Sequence, residues 1–262
     1  MRSWHGGIVV SLLLSLPSWS QQAAPASGPV LLEQALGAMA ASIAVSDATL
    51  TGTARRIAGS DDETGNVTLQ ALATGQSQIK YAYPSGPRSE LISISSAGVP
   101  VGSWTGPDNV GHPMSYHNLL TDSSWFFPAL TLSKLLVSRT TAITVVGQDM
   151  REGISVTHLT ATQQFTDVPA DKAPSMQHVS QMDLFLDTST LFPAALDFNV
   201  HPDNNMLLDI PVEIRFSDYR AVSGVQVPFR VQRYMNNSLI LDVQLQTATL
   251  NSGLTASAFT IQ

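Results

Sequence analysis

The chain of 262 residues contains no cysteine. Disulfide bonds, on which proteins of oxidising compartments often depend, are therefore excluded. Stability has to come from the burial of apolar side chains instead. Residues 21–262 are long enough to form one sizeable core, and no feature of the sequence requires a second domain.

Charged residues are also scarce. They make up 13% of the chain, hydrophobic residues make up 44%, and the formal net charge is −7. Nucleic-acid binding depends on clustered Lys and Arg, and no basic run occurs, so this class of partner is excluded. The same composition argues against tight electrostatic adhesion to the anionic headgroups of a membrane surface.

Long hydrophobic runs are absent beyond the N-terminus. Arg2 and the short apolar run from Ile8 to Leu16 predict a secretory signal that is cut after Ser20. The run is well short of the roughly 20 residues that cross a bilayer as a helix, which disfavours the alternative of a retained anchor. No cysteine stands near the cut, so the usual bacterial lipid-anchoring residue is missing, and we expect a periplasmic or secreted protein. The expected organisation is a signal peptide at 1–20, a flexible linker at 21–28 and a single domain at 29–262.

Two helical segments are predicted. Leu32, Leu36 and Met39 recur at helical spacing, which indicates a helix over residues 30–44 with one apolar stripe. Residues 115–138 contain the second segment, which is rich in aromatic residues and nearly uncharged. We expect this second segment to be largely buried.

Most of the remaining chain alternates between apolar and polar residues with a period of two, which predicts about ten strands. Val225, Val227 and Phe229, for example, share one phase. Each strand therefore has one wet face and one dry face, as in an antiparallel sheet that is packed on one side only. Asn236 and Asn237 separate the last two strands and can adopt positive φ, which suits a tight hairpin. A polar loop is predicted at 163–175.

Several segments carry a family resemblance. The most specific is the ending, in which Phe216–Arg220 leads through a turn to the pattern Gly-Val-x-x-Pro-Phe at residues 224–229. This ending resembles that of the LolA, LolB and LppX superfamily of lipoprotein carriers from bacterial envelopes. The resemblance covers nearly the whole mature chain and, within the superfamily, points to exported proteins of acidobacterial type. The other segments that carry it are Ala48–Thr53, Pro84–Glu90, His117–Asn118 and Trp125–Leu130.

The resemblance implies both a fold and a function. The implied fold is mainly β (α+β), a curved antiparallel incomplete β-barrel whose concave face is covered by two or three helices. The implied function is the binding of a lipid or acylated ligand between sheet and helices, with no catalytic residue and no cofactor. Tyr83 stands before Pro84 where the soluble carriers have an Arg that latches the helical lid, with Arg88 nearby, so the resemblance does not extend to that latch.

One metal site can be considered. His112 and His117 lie five residues apart with Asp108 and Asp122 on either side, and two His with a carboxylate can bind zinc when they converge. The spacing is not that of a helical pair, and Pro113 intervenes. We interpret these His residues as solvent-facing or capping groups, and we predict no metal.

Catalytic arrangements are weak. Ser115, Ser123 or Ser124 could be combined with His117 and Asp122 as a hydrolytic triad, but the chain has no Gly-x-Ser-x-Gly motif. We therefore predict no catalytic residue.

Further polar residues have simple interpretations. His158 is in phase with Ile154 and Val156, so it is expected on the dry face, as a hydrogen-bonded core imidazole or as a ligand contact. The remaining carboxylates on wet strand faces are interpreted as solvating groups rather than as a paired acid and base. These carboxylates are Asp197, Asp209, Glu213 and Asp218.

The aromatic cluster Trp125, Phe126 and Phe127 has two interpretations that the sequence leaves open. It is either ordinary core that plugs the sheet or a lid that lines an apolar ligand cavity. The candidate ligand-binding residues on the second interpretation are Leu50, Tyr81, Trp104, Trp125, Phe126, Phe127, Leu130, Phe216, Phe229 and Leu241.

Three hypotheses about function follow. The first is an exported binding or carrier protein for a lipid or acylated ligand held between a curved sheet and lid helices. The second is a non-catalytic interaction or structural module with a filled core, whose partners are other envelope proteins. An enzyme is the third and weakest, because it requires His112, His117 and a carboxylate to converge.

Overall fold

The computed structural model of the chain describes Met1, residues 26–121 and residues 123–261. The predicted signal peptide beyond Met1, and most of the predicted linker, lie outside the described residues. The described chain forms one antiparallel sheet of thirteen strands. The strands are β1 (Asp47–Ala58), β2 (Asp61–Leu72), β3 (Ser77–Tyr83), β4 (Gly86–Ile94), β5 (Pro100–Thr105), β6 (Gly111–Pro113), β7 (Thr141–Arg151), β8 (Ile154–Gln163), β9 (Met182–Asp187), β10 (Pro193–Val200), β11 (Ile210–Val222), β12 (Val225–Met235) and β13 (Ser238–Leu250).

The first and last strands lie side by side in the middle of the sheet. The order is β6-β5-β4-β3-β2-β1-β13-β12-β11-β10-β9-β8-β7, so one meander runs outward from β1 and a second runs outward from β13. β6 and β7 are the two edges, and the sheet curls without closing. The predicted fold class, an incomplete antiparallel barrel, is confirmed.

Turn residues fix the register of the long hairpins. Asn236 and Asn237 have φ values of 48° and 62°, and Ser223 and Gly224 have φ values of 51° and 84°. Two consecutive residues with positive φ give a turn whose twist matches that of the flanking strands. The hairpin predicted at the two asparagines is therefore confirmed, and a second one of the same kind begins the Gly-Val-x-x-Pro-Phe segment.

A bulge at Gly52 lets β1 pair closely with β13. The register shifts between Thr51 and Gly52, and a Cβ atom at position 52 would lie 2.1 Å from the carbonyl oxygen of Gln244. Only glycine allows the two backbones to approach this closely.

Three helices and two short 3₁₀ turns accompany the sheet in the described chain. The helices are α1 (Gly28–Ala40), α2 (Pro128–Val137) and α3 (Ala173–Val179), and the 3₁₀ turns are Tyr116–Leu119 and Ala256–Phe259. α1 packs against α2, and both contact β12. Each of these two helices begins with a proline in its first turn, where the missing N–H is not needed.

The predicted elements need correction in four places. The helix predicted at 30–44 is α1, which spans Gly28–Ala40. The sheet has thirteen strands instead of about ten, and the short β6 among them was not predicted. The second helical segment is a 3₁₀ turn followed by α2 alone, with residues 123–126 in a turn. Part of the predicted loop at 163–175 is wrong, since α3 begins at Ala173.

The dry face of the sheet, together with α1 and α2, forms the main core. Leu50, Ile79, Leu159 and Ile214 from four different strands are at most 2% exposed. They pack in one continuous cluster with Leu132 of α2. One-sided burial, as the alternation predicts, thus holds the sheet together.

Shortening a buried side chain of α2 should destabilise the protein. Leu132 is 0% exposed, so Leu132→Ala leaves a cavity between helix and sheet and should lower the free energy of unfolding by about 2–5 kcal/mol. Val137 ends the same helix and is 77% exposed, so Val137→Ala should change that free energy by no more than about 0.5 kcal/mol. Urea unfolding followed by circular dichroism measures both, and equal losses would contradict the packing of α2.

Candidate ligand-binding cavity

A cavity of about 490 Å³ lies on the dry face and is partly open to solvent. Its wall is contributed by β1, β3, β4 and β5 of the first meander and by β10, β12 and β13 of the second. A volume in the range of about 300–1,000 Å³ is typical of small-molecule sites. The lining residues are Arg56, Tyr81, Tyr83, Arg88, Ser89, Glu90, Ile92, Trp104, Thr105, Met114, Asn118, Thr121, Trp125, Phe198, Val200, His201, Arg233, Ile240 and Leu241.

Four of the ten residues proposed from the sequence line this cavity. They are Tyr81, Trp104, Trp125 and Leu241. The rings of Tyr81 and Tyr83 are stacked, with centroids 5.4 Å apart, so β3 presents a flat aromatic surface. Trp104 is 44% exposed, whereas Trp125 is 6% exposed, which places Trp104 at the opening and Trp125 deeper in the wall.

The other six proposed residues belong to the packed core and do not line the cavity. Phe126 and Phe127 are both 0% exposed. The space between the first turn of α2 and Phe216 has no room for a water molecule. The cavity therefore lies beside α2 and not beneath it. The six core residues are Leu50, Phe126, Phe127, Leu130, Phe216 and Phe229.

The segment before α2 crosses from one meander to the other at the cavity. Asn118 donates from Nδ2 to the carbonyl oxygen of His201 at 2.8 Å and accepts the N–H of His201 on Oδ1 at 2.8 Å. The amide side chain of Asn118 thus forms with His201, at the end of β10, the pair of hydrogen bonds that a neighbouring strand would form. Ser115 donates to Asp203 at 2.5 Å nearby. These bonds position the 3₁₀ turn of residues 116–119 against the cavity wall.

Three arginines occupy inward positions and were missed by the sequence reasoning. Arg56 of β1, Arg88 of β4 and Arg233 of β12 all line the cavity. The alternation of the strands could have identified two of them. Arg56 is in phase with the buried Ala54, and Arg233 is in phase with the buried Val231. A cation at the dry phase of an otherwise apolar strand indicates a polar cavity rather than solid core.

One carboxylate partners two of these arginines. Glu63 Oε1 is 3.3 Å from Arg56 Nη1 and 3.9 Å from Arg88 Nη2. The Ser85 hydroxyl donates to the same oxygen at 2.8 Å. This hydrogen bond and the two nearby arginines lower the pKa of Glu63, so the carboxylate is held in its charged form. Burial raises the pKa of Tyr83, so that phenol is held neutral.

Comparison with known proteins identifies the fold. No family model and no curated protein matches the sequence. A LolA superfamily protein from Nitrosomonas europaea superposes with a TM-score of 0.57 at 10% identity, over 90% of this chain and 99% of that one. A domain named for outer membrane lipoprotein sorting from Vibrio parahaemolyticus superposes with a TM-score of 0.56 at 10% identity, over 88% of this chain and 95% of that one.

The fold is LolA-like. A DUF1329 family protein from Desulfovibrio piger shares it too, with a TM-score of 0.55 at 14% identity, over 89% of this chain and 95% of that one. At these identities the likeness concerns the fold alone. It confirms the fold that the resemblance implied, and residues 224–229 lie in the hairpin of β11 and β12.

The two candidate zinc ligands contact different partners in the LolA-like sheet. His112 stacks on Trp104 with ring centroids 4.3 Å apart, whereas His117 meets His201 edge-on at 5.9 Å. Asp122 lies outside the described residues. Among the residues that the structure describes, no three His, Asp or Glu side chains are grouped so that they could hold a metal ion.

Two serines of the candidate hydrolytic triad have other partners, and its Asp122 lies outside the described residues. Ser115 is hydrogen-bonded to Asp203, and Ser123 donates to the carbonyl oxygen of Gly75 at 2.7 Å. The ring of His117 contacts His201 instead of a serine hydroxyl. Ser115 and Ser123 thus connect the segment before α2 to turns between neighbouring strands.

The placement of His158 on the dry face is wrong. Its ring stacks on Phe185 at 4.5 Å, and Nε2 lies 2.9 Å from Asp183 Oδ1, both on the outer face. The prediction assumed that Val156 lies on the dry face. Val156 instead forms a small second apolar cluster with Phe185 and Ala195 on the outer face.

Asp197 and Glu213 do more than solvate their strands, which corrects the simple interpretation. Arg151 Nη2 is 3.0 Å from Asp197, and Arg151 Nη1 is 3.7 Å from Glu213. The guanidinium group of Arg151 also lies 3.7 Å above the ring of Phe185. Burial, with Glu213 nearby, outweighs Arg151 and raises the pKa of Asp197 to about 6. Asp209 Oδ1 lies 2.8 Å from His178 Nε2, and Asp218 is paired with Arg220.

The raised pKa of Asp197 should make stability depend on pH. Between about pH 4 and pH 6 the folded protein holds this proton more tightly than the unfolded chain, so the free energy of unfolding should fall as pH rises through that window. In wild type the free energy of unfolding should fall by on the order of 2 kcal/mol over this window, and in Asp197→Asn this fall should be absent. Urea unfolding at pH 4, 5, 6 and 7 measures it. Asp171→Asn, at a 74% exposed carboxylate, should leave the wild-type slope, and an unchanged slope in Asp197→Asn would refute the assignment.

Proposed function

We propose that this protein is an exported, non-catalytic binding or carrier protein for a lipid or acylated ligand. The observation that carries the proposal is the cavity of about 490 Å³ between the two meanders of a LolA-like sheet. Periplasmic or secreted localisation, with a signal peptide at 1–20, is part of the proposal.

The chemistry of the wall supports an apolar ligand. Trp104, Trp125, Phe198 and Leu241 present aromatic and aliphatic surface to the same space. Burial of ligand CH₂ groups against such a wall stabilises a complex by about 0.8 kcal/mol for each group that is removed from water.

In the described part of the chain, no helix is long and apolar enough to span a membrane.

One observation favours the second candidate, an interaction module with a filled core. The space that the first turn of α2 shares with β9, β10 and β11 has no room for a water molecule, and Phe126 and Phe127 are fully buried. Such a module would bind envelope proteins at an edge of the sheet. β7 offers one, because among the described strands it pairs only with β8.

A bulky side chain in the cavity should separate these functions. Val200 lines the cavity, so Val200→Trp should fill it and weaken the binding of an NBD-labelled fatty acid by roughly tenfold or more. Val146 is 58% exposed on β7, and Val146→Trp should leave that affinity unchanged. Probe fluorescence measures the affinity, and thermal unfolding verifies that both variants are folded.

Native mass spectrometry of the gently purified protein is the second readout. The carrier proposal expects a lipid that co-purifies with wild type and is lost from Val200→Trp. A lipid-free wild-type protein that also ignores the fatty-acid probe would refute the carrier. Pull-down from envelope extracts would then test the filled-core module.

A further inference from the structure

The charge of the cavity wall is opposite to that of the whole protein. Arg56, Arg88 and Arg233 line the cavity, and Glu90 is the one carboxylate among the lining residues. The chain as a whole has a formal net charge of −7. Half-buried cations on the dry side of a sheet cost stability unless an anion pairs with them.

The three arginines are not equally satisfied. Arg56 and Arg88 share Glu63, at 3.3 and 3.9 Å. Arg233 forms no ion pair with any described residue, and its guanidinium group lies 5.3 Å from the ring centre of Trp125. Arg233 is therefore the cation that remains available to a ligand.

Buried donors point to the same place. The Nε atoms of Arg88 and Arg233 and the hydroxyl of Tyr83 are buried and have no hydrogen-bond partner among the described residues. All three side chains line the cavity. Because burial raises the pKa of Tyr83, its hydroxyl keeps a proton that it can donate. Buried polar groups are normally hydrogen-bonded, so this set of donors calls for an acceptor.

An apolar surface lies directly beside these donors. Trp125 contacts the Arg233 guanidinium group and, with Trp104 and Phe198, forms part of the same wall. A guanidinium group presents a planar fork of N–H donors that matches a carboxylate or a phosphate. The cavity thus combines an anion-binding end with an apolar remainder.

Resting on the proposed function, we propose that the ligand is an anionic amphiphile. Its carboxylate or phosphate is bonded by Arg233, with Arg88 and Tyr83 as further donors, and its apolar part lies against Trp104, Trp125 and Phe198. Binding at this site takes in a single head group inside the sheet. It therefore differs from adhesion to a membrane surface, which the acidic, sparsely charged chain disfavours.

A series of ligands with one chain and four head groups tests the inference. Decanoate, decyl phosphate, 1-decanol and decyltrimethylammonium are titrated into the full-length protein at pH 8 and monitored by calorimetry. At least one of the two anions should bind on the order of tenfold more tightly than decanol, as one charge-assisted hydrogen-bonded pair provides. The stronger anion distinguishes a carboxylate from a phosphate head group.

The variants assign the effect to Arg233. Arg233→Gln should lower the affinity for the preferred anion by about tenfold and leave that for decanol within about twofold. Arg55→Gln makes the same change of charge at a 49% exposed side chain that pairs with Asp62, and it should alter neither affinity. Arg233→Lys, which keeps the charge without the fork, should fall between wild type and Arg233→Gln.

The failures are distinguishable. If decanol binds as tightly as both anions, or if Arg233→Gln weakens decanol and the anion equally, the head-group inference is overturned while the carrier function stands. If none of the four ligands binds, the proposed function fails with it. Thermal unfolding of each variant excludes loss of the fold as the cause.

Discussion

The pairing of the first strand with the last is the constraint on which the rest of the molecule depends. β1 and β13 pair from Ala48 with Leu250 to Arg56 with Leu241, and the two meanders extend from this seam in opposite directions. The cavity takes its walls from both meanders. The seam thus sets how the two walls lie relative to each other.

Hydrogen bonds at the end of the seam reinforce it. Asp47 is 1% exposed and accepts the N–H of Ser252 at 2.8 Å and the N–H of Gly253 at 3.1 Å. Burial alone would raise the pKa of Asp47, but these bonds together with the hydroxyls of Ser252 and Ser46 lower it. A buried carboxylate that is satisfied in this way ties the start of β1 to the chain that follows β13.

The dimensions of the elements explain why a cavity remains. Thirteen strands at a spacing of about 4.8 Å would make a flat sheet roughly 58 Å wide. α1 has 13 residues and α2 has 10, so their lengths are only about 20 and 15 Å. Two such helices, packed side by side, cannot cover the whole dry face. The sheet curls around them, and the uncovered part beside Trp125 becomes the cavity.

Local patterns predicted the sheet well because a period of two is a property of each strand by itself. The alternation of Val225, Val227 and Phe229 and the turn at Asn236 and Asn237 needed no knowledge of the rest of the chain. α3 was missed because Ala173–Val179 is short and begins beside prolines in a polar segment. His158 was misplaced because a sheet with a small apolar cluster on its outer face has apolar residues in both phases.

The candidate site was harder to predict, since its membership depends on position in three dimensions. Trp125 lines the cavity, whereas the adjacent Phe126 and Phe127 belong to the core. All three are aromatic, so the tight turn before α2, and not the residue type, determines which of them reaches the cavity. The inward arginines could have been recognised from phase alone. Arg56 follows Ala54 by two residues and Arg233 follows Val231 by two, but the search for clustered basic residues in sequence overlooks cations on different strands.

The separation of charge between cavity and exterior has a physical consequence. Interactions between exposed charges are screened beyond about 8–10 Å at physiological ionic strength, whereas half-buried cations in a largely apolar wall are screened much less. An acidic exterior therefore does little at long range to oppose an anion that is already inside the cavity. The net charge of −7 also disfavours adsorption to an anionic membrane. The proposed site at Arg233 would therefore favour a single anionic head group inside the sheet over the surface of a bilayer.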